Sequence, residues 1–472
     1  MIDEDAILDS VRYLRYVRPI DPDEITTYVP DNPHPAVVRQ TIRDHAVDLG
    51  LYERDDGTFE PVGDDPVDST FDGVDRFPES WSRRLEDLLV DHYGPGWHDG
   101  ESGDRLRHRI DRMKTEYFAG EAVEYELETA IAYAIYHLPD YYAAIQYVLA
   151  ELTRVGLLPR KLSILDVGAG AGGPALGIHD FMPTRRLVTY DAVEPSPAAD
   201  ILSYFLDRTG QNFHASIHRE RAEEFTPEDT YDLLCFNNVI AELDDPVACV
   251  DRYIDSLADD GTLLVLSPAE KRTATRLRSV EREILDRRPD LTVFAPTVRL
   301  WPDEKPRDRG WTFTRKRPIE LPSFQVRLDR GTGSNGHVRA DAGDETYCNV
   351  DVQFAYLLAR TDGRRAIEYE PDHRRVAKMA DSDRHVTERL DYVGIKLSPN
   401  IGEGNPLFKV GDGSEDVDHY AVLTQQSTLN DAVLDAPYGA LLRFENVLVL
   451  WNDDEDAYNL VIDDQSVVDR IA

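Results

Sequence analysis

The run Ser163-Ile164-Leu165-Asp166-Val167-Gly168-Ala169-Gly170-Ala171-Gly172-Gly173-Pro174 constrains this chain more than any other stretch, because an apolar segment turns through four glycines into a helix start. Glycine tolerates positive φ and lets a ligand approach the backbone, and Pro174 suits a first helical turn, where its missing N–H would be unpaired anyway. The run reads as the first strand and first loop of a Rossmann-like α/β domain, with the loop cradling a nucleotide-like ligand. Two cofactor classes fit the spacing. Gly168, Gly170 and Gly173 satisfy the dinucleotide pattern, while Gly168, Gly170 and Gly172 satisfy the S-adenosylmethionine pattern. Asp166 favours S-adenosylmethionine over NAD: a carboxylate at the strand end repels a pyrophosphate and suits a cationic, phosphate-free ligand.

The rest of the expected cofactor site follows from strand ends, where ligands of such sheets bind. Leu187 to Val193 is a second strand ending in Glu194, an acid placed for ribose hydroxyls. Tyr231 to Phe236 is a third, apolar at its centre as a parallel sheet requires, and it ends in Asn237-Asn238. Glu223 precedes that strand, where an acid meets adenine in many such enzymes. The cofactor-binding set is therefore Asp166, Gly168, Gly170, Gly172, Glu194, Glu223 and Asn237. Asn237 and Asn238 are weak candidates for facing the methyl acceptor, since asparagine is also a common turn former. Leu257 to Leu266, with Asp260-Gly261 as a turn, supplies another strand.

Ninety acidic against 52 basic residues give a net charge of −38, spread along all 472 residues. That pattern reads as adaptation to molar salt. At about 1 M salt the Debye length shrinks to about 3 Å, so surface charge steers partners poorly and local basic islands become more informative. The three cysteines, Cys235, Cys249 and Cys348, have no metal-ligand spacing. With no basic-then-apolar leader pattern and no membrane-length apolar run, a cytoplasmic protein without membrane contact is expected.

The length calls for several domains. Residues 1–66 have the order of a winged helix-turn-helix-like domain: helices over Ile7 to Ile20 and through Tyr28, a third opening at His34-Pro35, then a hairpin from Glu53 to Val62. Arg39, Arg43 and His45 on the third helix suit either a nucleic-acid groove or a protein-docking or packing module, since Asp44 and Asp48 share the helix, and Arg12, Arg15 and Arg18 suit a solvated face. Residues 64–80 are an Asp- and Pro-rich linker, and 77–158 a helical domain with a basic island (Arg105, Arg107, Arg109, Arg112, Lys114) and a kink or restart at Pro139. Residues 159–298 form the Rossmann-like domain, and 299–372 a basic loop with a closing β element. Arg299 to Arg317 carries seven bases against three acids, 7 − 3 = +4, interleaved with Trp301, Trp311 and Phe313. Arg307, Arg309, Trp311, Arg315, Lys316 and Arg317 are weak RNA-contact candidates, the other reading being that the aromatics are core. Residues 385–472, with short β runs at Val393–Lys396, Tyr420–Thr424, Leu441–Leu450 and Ala457–Ile462, read as an OB-like β domain for single-stranded nucleic acid or for protein docking.

Ala132-Tyr133 and His137-Leu138-Pro139-Asp140-Tyr141-Tyr142-Ala143-Ala144, followed by Leu165-Asp166-Val167-Gly168-Ala169-Gly170, Val239-Ile240-Ala241-Glu242-Leu243 and Phe354-Ala355-Tyr356, resemble the small-ribosomal-subunit assembly family of methyltransferase-like proteins. That family includes the mitochondrial factor methyltransferase-like seventeen and bacterial and archaeal relatives; the acidity suggests a halophilic archaeal member. The resemblance covers roughly residues 105–365. It implies a class I Rossmann-like methyltransferase core that binds S-adenosylmethionine, with the small ribosomal subunit and its rRNA as partners. Rival readings are a catalytically inactive assembly or RNA-binding factor and, more distantly, a DNA-associated or small-molecule methyltransferase. The chain departs from the family pattern at His137, where relatives carry arginine, and at Asp140, where they carry a small residue. The cysteines that hold an iron–sulfur cluster in many relatives are missing around Trp311-Thr312-Phe313, so no cluster is expected. Asn237-Asn238-Val239-Ile240 stands where amino-group methyltransferases carry asparagine-proline-proline-aromatic.

Overall fold

A computed structural model of the protein describes residues 3–30, 32–68, 70–120 and 126–472, without the side chain of Phe118; residues 121–125 of the expected helical domain and Ser69 of the linker lie outside the described residues. The chain divides into two compact units, Met1–Phe225 with Ile319–Val350, and Thr226–Pro318 with Asp351–Ala472. The division falls inside the span 159–298, not at its ends.

In the first unit, Asp3 caps helix α1 (Glu4–Leu14) by accepting the Ala6 N–H, and the apolar spacing turns Ile7, Leu8 and Val11 inward. They pack with Ile25 beside α2 (Pro22–Ile25), Val38 and Ile42 of α3 (Pro35–Asp44) and Leu49 of α4 (Ala46–Leu49). The hairpin follows as β1 (Leu51–Glu53) and β2 (Phe59–Pro61), paired antiparallel. Arg43 of α3 makes two hydrogen bonds to Glu53, so a base weighed for a nucleic-acid groove is paired with the hairpin.

Helices α5 (Glu79–Tyr93), α6 (Gly100–Ala119) and α7 (Leu127–Arg154) come next. The basic island on α6 is internally satisfied: Arg109 meets Glu126 and Glu128, Arg112 meets Glu116, and the buried Arg107 donates to the carbonyls of His98 and Leu328. The helix does not restart at Pro139: α7 is continuous for 28 residues with the proline inside it. Proline cannot donate to the carbonyl four residues back, which is that of Ile135. The fully buried Gln325, on helix α12 (Ser323–Arg330), donates to that carbonyl at 2.8 Å and removes the penalty.

Strands β3 (Lys161–Val167), β4 (Leu187–Val193) and β5 (Phe213–His218) are parallel, β4 pairing with both others, and α8 (Gly173–Phe181) and α9 (Ala198–Leu206) make the crossovers. The polar, half-exposed β5 lacks the apolar run that marks the others.

In the second unit, β6 (Tyr231–Asn237) and β7 (Leu257–Pro268) are parallel, with α10 (Pro246–Ile254) between them and α11 (Lys271–Arg287) after. β7 continues through Asp260-Gly261, which is a register irregularity and not a turn. β8 (Thr292–Ala295), β9 (Thr314–Arg315) and β7 all pair antiparallel to β10 (Gln353–Arg360). Parallel βα repeats finished by one antiparallel strand are the class I Rossmann-like methyltransferase arrangement.

The same unit ends in a small barrel. β11 (Arg389–Lys396) pairs with β12 (Leu407–Gly411), β12 with β13 (His419–Leu423), β13 in parallel with β15 (Ala457–Ile462), and β15 with β14 (Leu441–Asn452), which returns to β11. This closed Greek-key order, with α13 (Ala432–Asp435) between β13 and β14, is that of an OB barrel. β16 (Val467–Arg470) adds to β14. No described helix is long and apolar enough to cross a membrane.

Candidate functional site

The glycine loop joins β3 to α8. Gly168, Gly170 and Gly172 have φ of +74°, +55° and +94°, the left-handed region that disfavours a side chain. A Cβ on Gly172 would also come within 2.7 Å of Leu202, whereas one on Gly170 would meet nothing within 4 Å. The backbone is thus tightly backed at one glycine and open to a ligand at the other.

Glu194, directly after β4, is nearly buried. One carboxylate oxygen accepts the Gly170 N–H and the other the Ser196 N–H, each at 2.9 Å, while Gly168 N–H donates to the Val193 carbonyl at 2.8 Å. An ionised carboxylate has about four lone-pair sites, so further acceptor capacity remains after both bonds. Asp166 is fully buried, and the Tyr190 hydroxyl donates to it at 2.5 Å across the β3–β4 pair. It lies within the sheet that carries the loop.

Glu223 is half-buried and pairs with Arg221 at 3.5 Å. In the second unit, Asn237 closes β6 as a buried side chain, and Asn238 has φ +61° with its N–H bonded to the Leu266 carbonyl. Asn238 is therefore the turn residue that asparagine is suited to be.

On α7, Tyr133, His137 and Tyr141 recur every four residues and form a ring ladder, His137 and Tyr141 stacking at 4.9 Å. His137 Nδ1 lies 3.3 Å from both Asp140 Oδ2 and Asn349 Nδ2. Burial pushes the Asp140 carboxyl above the ordinary range, against the pull of His137. This turn abuts the loop's helix, because a Cβ on Gly173 would lie 3.0 Å from Tyr141 Cβ and 3.2 Å from the Leu138 carbonyl. Neither Tyr190 nor Ser196 stood out in the sequence. Their partners are set by strand register and a local turn, although Glu194-Pro195-Ser196 carried the turn signal.

The basic run of the second unit is largely tied down. Arg299 meets Glu281, Lys305 meets Asp286, and Arg309 bonds the Glu455 carbonyl and approaches Asp456. Trp301 and Phe313 are core, and Trp311 stacks on Phe313 at 5.4 Å and donates to the Ala269 carbonyl. Arg315 reaches Gln353, the Lys316 N–H pairs with Val352, and Arg307 and Arg317 have exposed side chains.

The strand order within each unit and the glycine loop define a class I Rossmann-like methyltransferase domain. Residues 137–317 match a family described as a methyltransferase domain, and residues 4–55 and 380–471 match the N-terminal and C-terminal domains of a domain of unknown function, DUF8157. No curated protein matches the chain in sequence. Similar solved structures include the plantazolicin methyltransferase BpumL in complex with SAH (10% identity over 60% of this chain and 97% of that one, TM-score 0.30). Another is the magnesium protoporphyrin IX methyltransferase ChlM from Synechocystis PCC 6803 with bound SAM (14%, 58% and 96%, TM-score 0.28). A SAM dependent methyltransferase from Aquifex aeolicus is a third (13%, 46% and 88%, TM-score 0.27).

Proposed function

We propose that this chain is an S-adenosylmethionine-dependent methyltransferase whose substrate is RNA of the small ribosomal subunit. The observation that carries the cofactor is Glu194 bonded to Gly170 of a loop whose backbone is open. A carboxylate with spare acceptor capacity, beside a glycine with nothing within 4 Å of where a Cβ would stand, suits a ribose diol and a cation. The match of residues 137–317 to a methyltransferase domain supports the same reading. The substrate rests on the sequence resemblance to small-subunit assembly proteins.

S-adenosylmethionine, when bound, supplies an electrophilic methyl group. Gly168, Gly170 and Gly172 would let the ligand's body lie close against the loop, and Glu194 would accept from its ribose hydroxyls. The remaining contribution is positioning.

An inactive assembly factor is the second reading, favoured by Asn238, whose left-handed backbone makes it a turn former. Purified protein incubated with methyl-labelled S-adenosylmethionine and small subunits separates the readings. Label on the RNA is expected. Stable subunit binding without label leaves the inactive factor, and no cofactor binding by calorimetry overturns both the cofactor and the enzyme.

A further inference from the structure

A second cleft lies within the first unit, at the opposite end of its strands from the glycine loop. Thr184 to Arg186 immediately precede β4 and Thr209 to Asn212 immediately precede β5, whereas the loop and Glu194 follow β3 and β4. Seven residues of β4, at about 3.3 Å each, separate the two ends by roughly 20 Å. The other wall is the hairpin, from Tyr52 to Asp56, with Arg43 of α3. Asn212 fixes this wall by accepting the Glu53 N–H at 2.7 Å and donating to the Glu53 carbonyl at 2.8 Å.

The cleft has about 690 Å³ of space. Its lining holds four arginines (Arg43, Arg54, Arg185, Arg186) against three acids (Glu53, Asp55, Asp56), a balance of 4 − 3 = +1 in a chain of net charge −38. Pairing inside the cleft takes up most of these charges. Glu53 is taken by Arg43, and Asp56 by Arg54 at 3.4 Å, which also bonds Glu60 at 2.8 Å, so Arg185 and Arg186 stand against Asp55. Arg185 is exposed and makes no ion pair with any described residue. Arg186 is fixed by bonds from Nη1 to the Met182 and Pro183 carbonyls, and its buried Nε has no partner. Two cations without carboxylate partners, one of them held rigidly, therefore flank a polar cavity.

We propose that this cleft binds a phosphate ester of nucleotide size. Arg186 Nη2, which bonds no described residue, belongs to a planar guanidinium matched to phosphate oxygens, and Arg185 adds a second charge. A phosphate ion alone would leave most of the cleft empty, since cavities of about 300–1,000 Å³ hold ligands of drug size. The side chains of Thr184 and Gln211 supply the hydroxyl and amide groups that a sugar and base require. The ligand is a free nucleotide or one unit of an RNA strand, and both present the same phosphate.

Titration of the full chain with uridine 5′-phosphate, with the cofactor loop saturated by S-adenosylhomocysteine, tests the site at the lowest salt that keeps the protein folded. The wild type should bind, and Arg185→Glu, which disturbs no internal bond, should weaken binding about tenfold or more. Arg186→Lys keeps the charge but loses the planar fork and should also weaken it. A short oligouridylate that binds more tightly than the mononucleotide identifies the strand, and equal affinity identifies the free nucleotide. Failure of the wild type to bind either one, or an unchanged affinity in Arg185→Glu, overturns the proposal.

Discussion

Gly172 has no room for a side chain and the wrong backbone angle for one, so Gly172→Ala should lower stability by about 1–3 kcal/mol in urea unfolding. At Glu194, glutamine keeps the shape but can accept only one of the two N–H bonds. Glu194→Gln should therefore weaken S-adenosylmethionine binding about tenfold by calorimetry while the fold persists. His419 is a residue whose chemistry is set by surroundings: burial, aided by Lys409, lowers its pKa to about 4. The folded state thus prefers neutral imidazole, while the unfolded chain takes up a proton near pH 6.5. The stability from this group is complete above pH 6.5 and is lost as pH falls toward about 4, on the order of 3 kcal/mol in all. Unfolding midpoints measured across that window should drop in the wild type and flatten in His419→Gln.

Two elements depend on buried polar groups that bond across long stretches of chain. Helix α7 passes through Pro139 because Gln325 satisfies the Ile135 carbonyl, and the same side chain accepts the Asn349 N–H at 3.0 Å. Gln325→Leu strands both groups and should cost about 2 kcal/mol or more, read by denaturant melts. In the second unit, the fully buried Lys409 of β12 bridges Asp308 at 2.8 Å and Asp418 at 3.3 Å, fastening the basic segment to the barrel. Lys409→Met leaves Asp418 without its cation and Asp308 with Arg282 alone and should destabilise by about 3–5 kcal/mol, whereas Lys409→Met with Asp308→Asn should recover part of it. Asp308 and Lys409 lie 409 − 308 = 101 residues apart, so the sequence shows a charge at each position and not the pair.

At the scale of the whole molecule, a net charge of −38 makes the folded chain repel itself. Raising ionic strength from about 0.1 M to about 1 M shortens the Debye length from about 10 Å to about 3 Å, so the thermal midpoint should rise over that range in a calorimetric scan. The glycine loop, the apolar strands, the first three helices and the barrel's longer strands were legible because local periodicity and turn chemistry report them directly. Strands β5, β8, β12 and β16 were not, since short or half-polar strands carry no such pattern and are selected by their neighbours. By itself the sequence determined a Rossmann-like core with left-handed glycines and an acid after the second strand, because backbone angle and strand ends are local properties. Only tertiary structure decided that Asp166 is buried against Tyr190, that the expected basic islands are mostly paired, and that Arg185 and Arg186 face the hairpin across a cleft. Those outcomes depend on which distant side chains share a neighbourhood, and no local pattern encodes that.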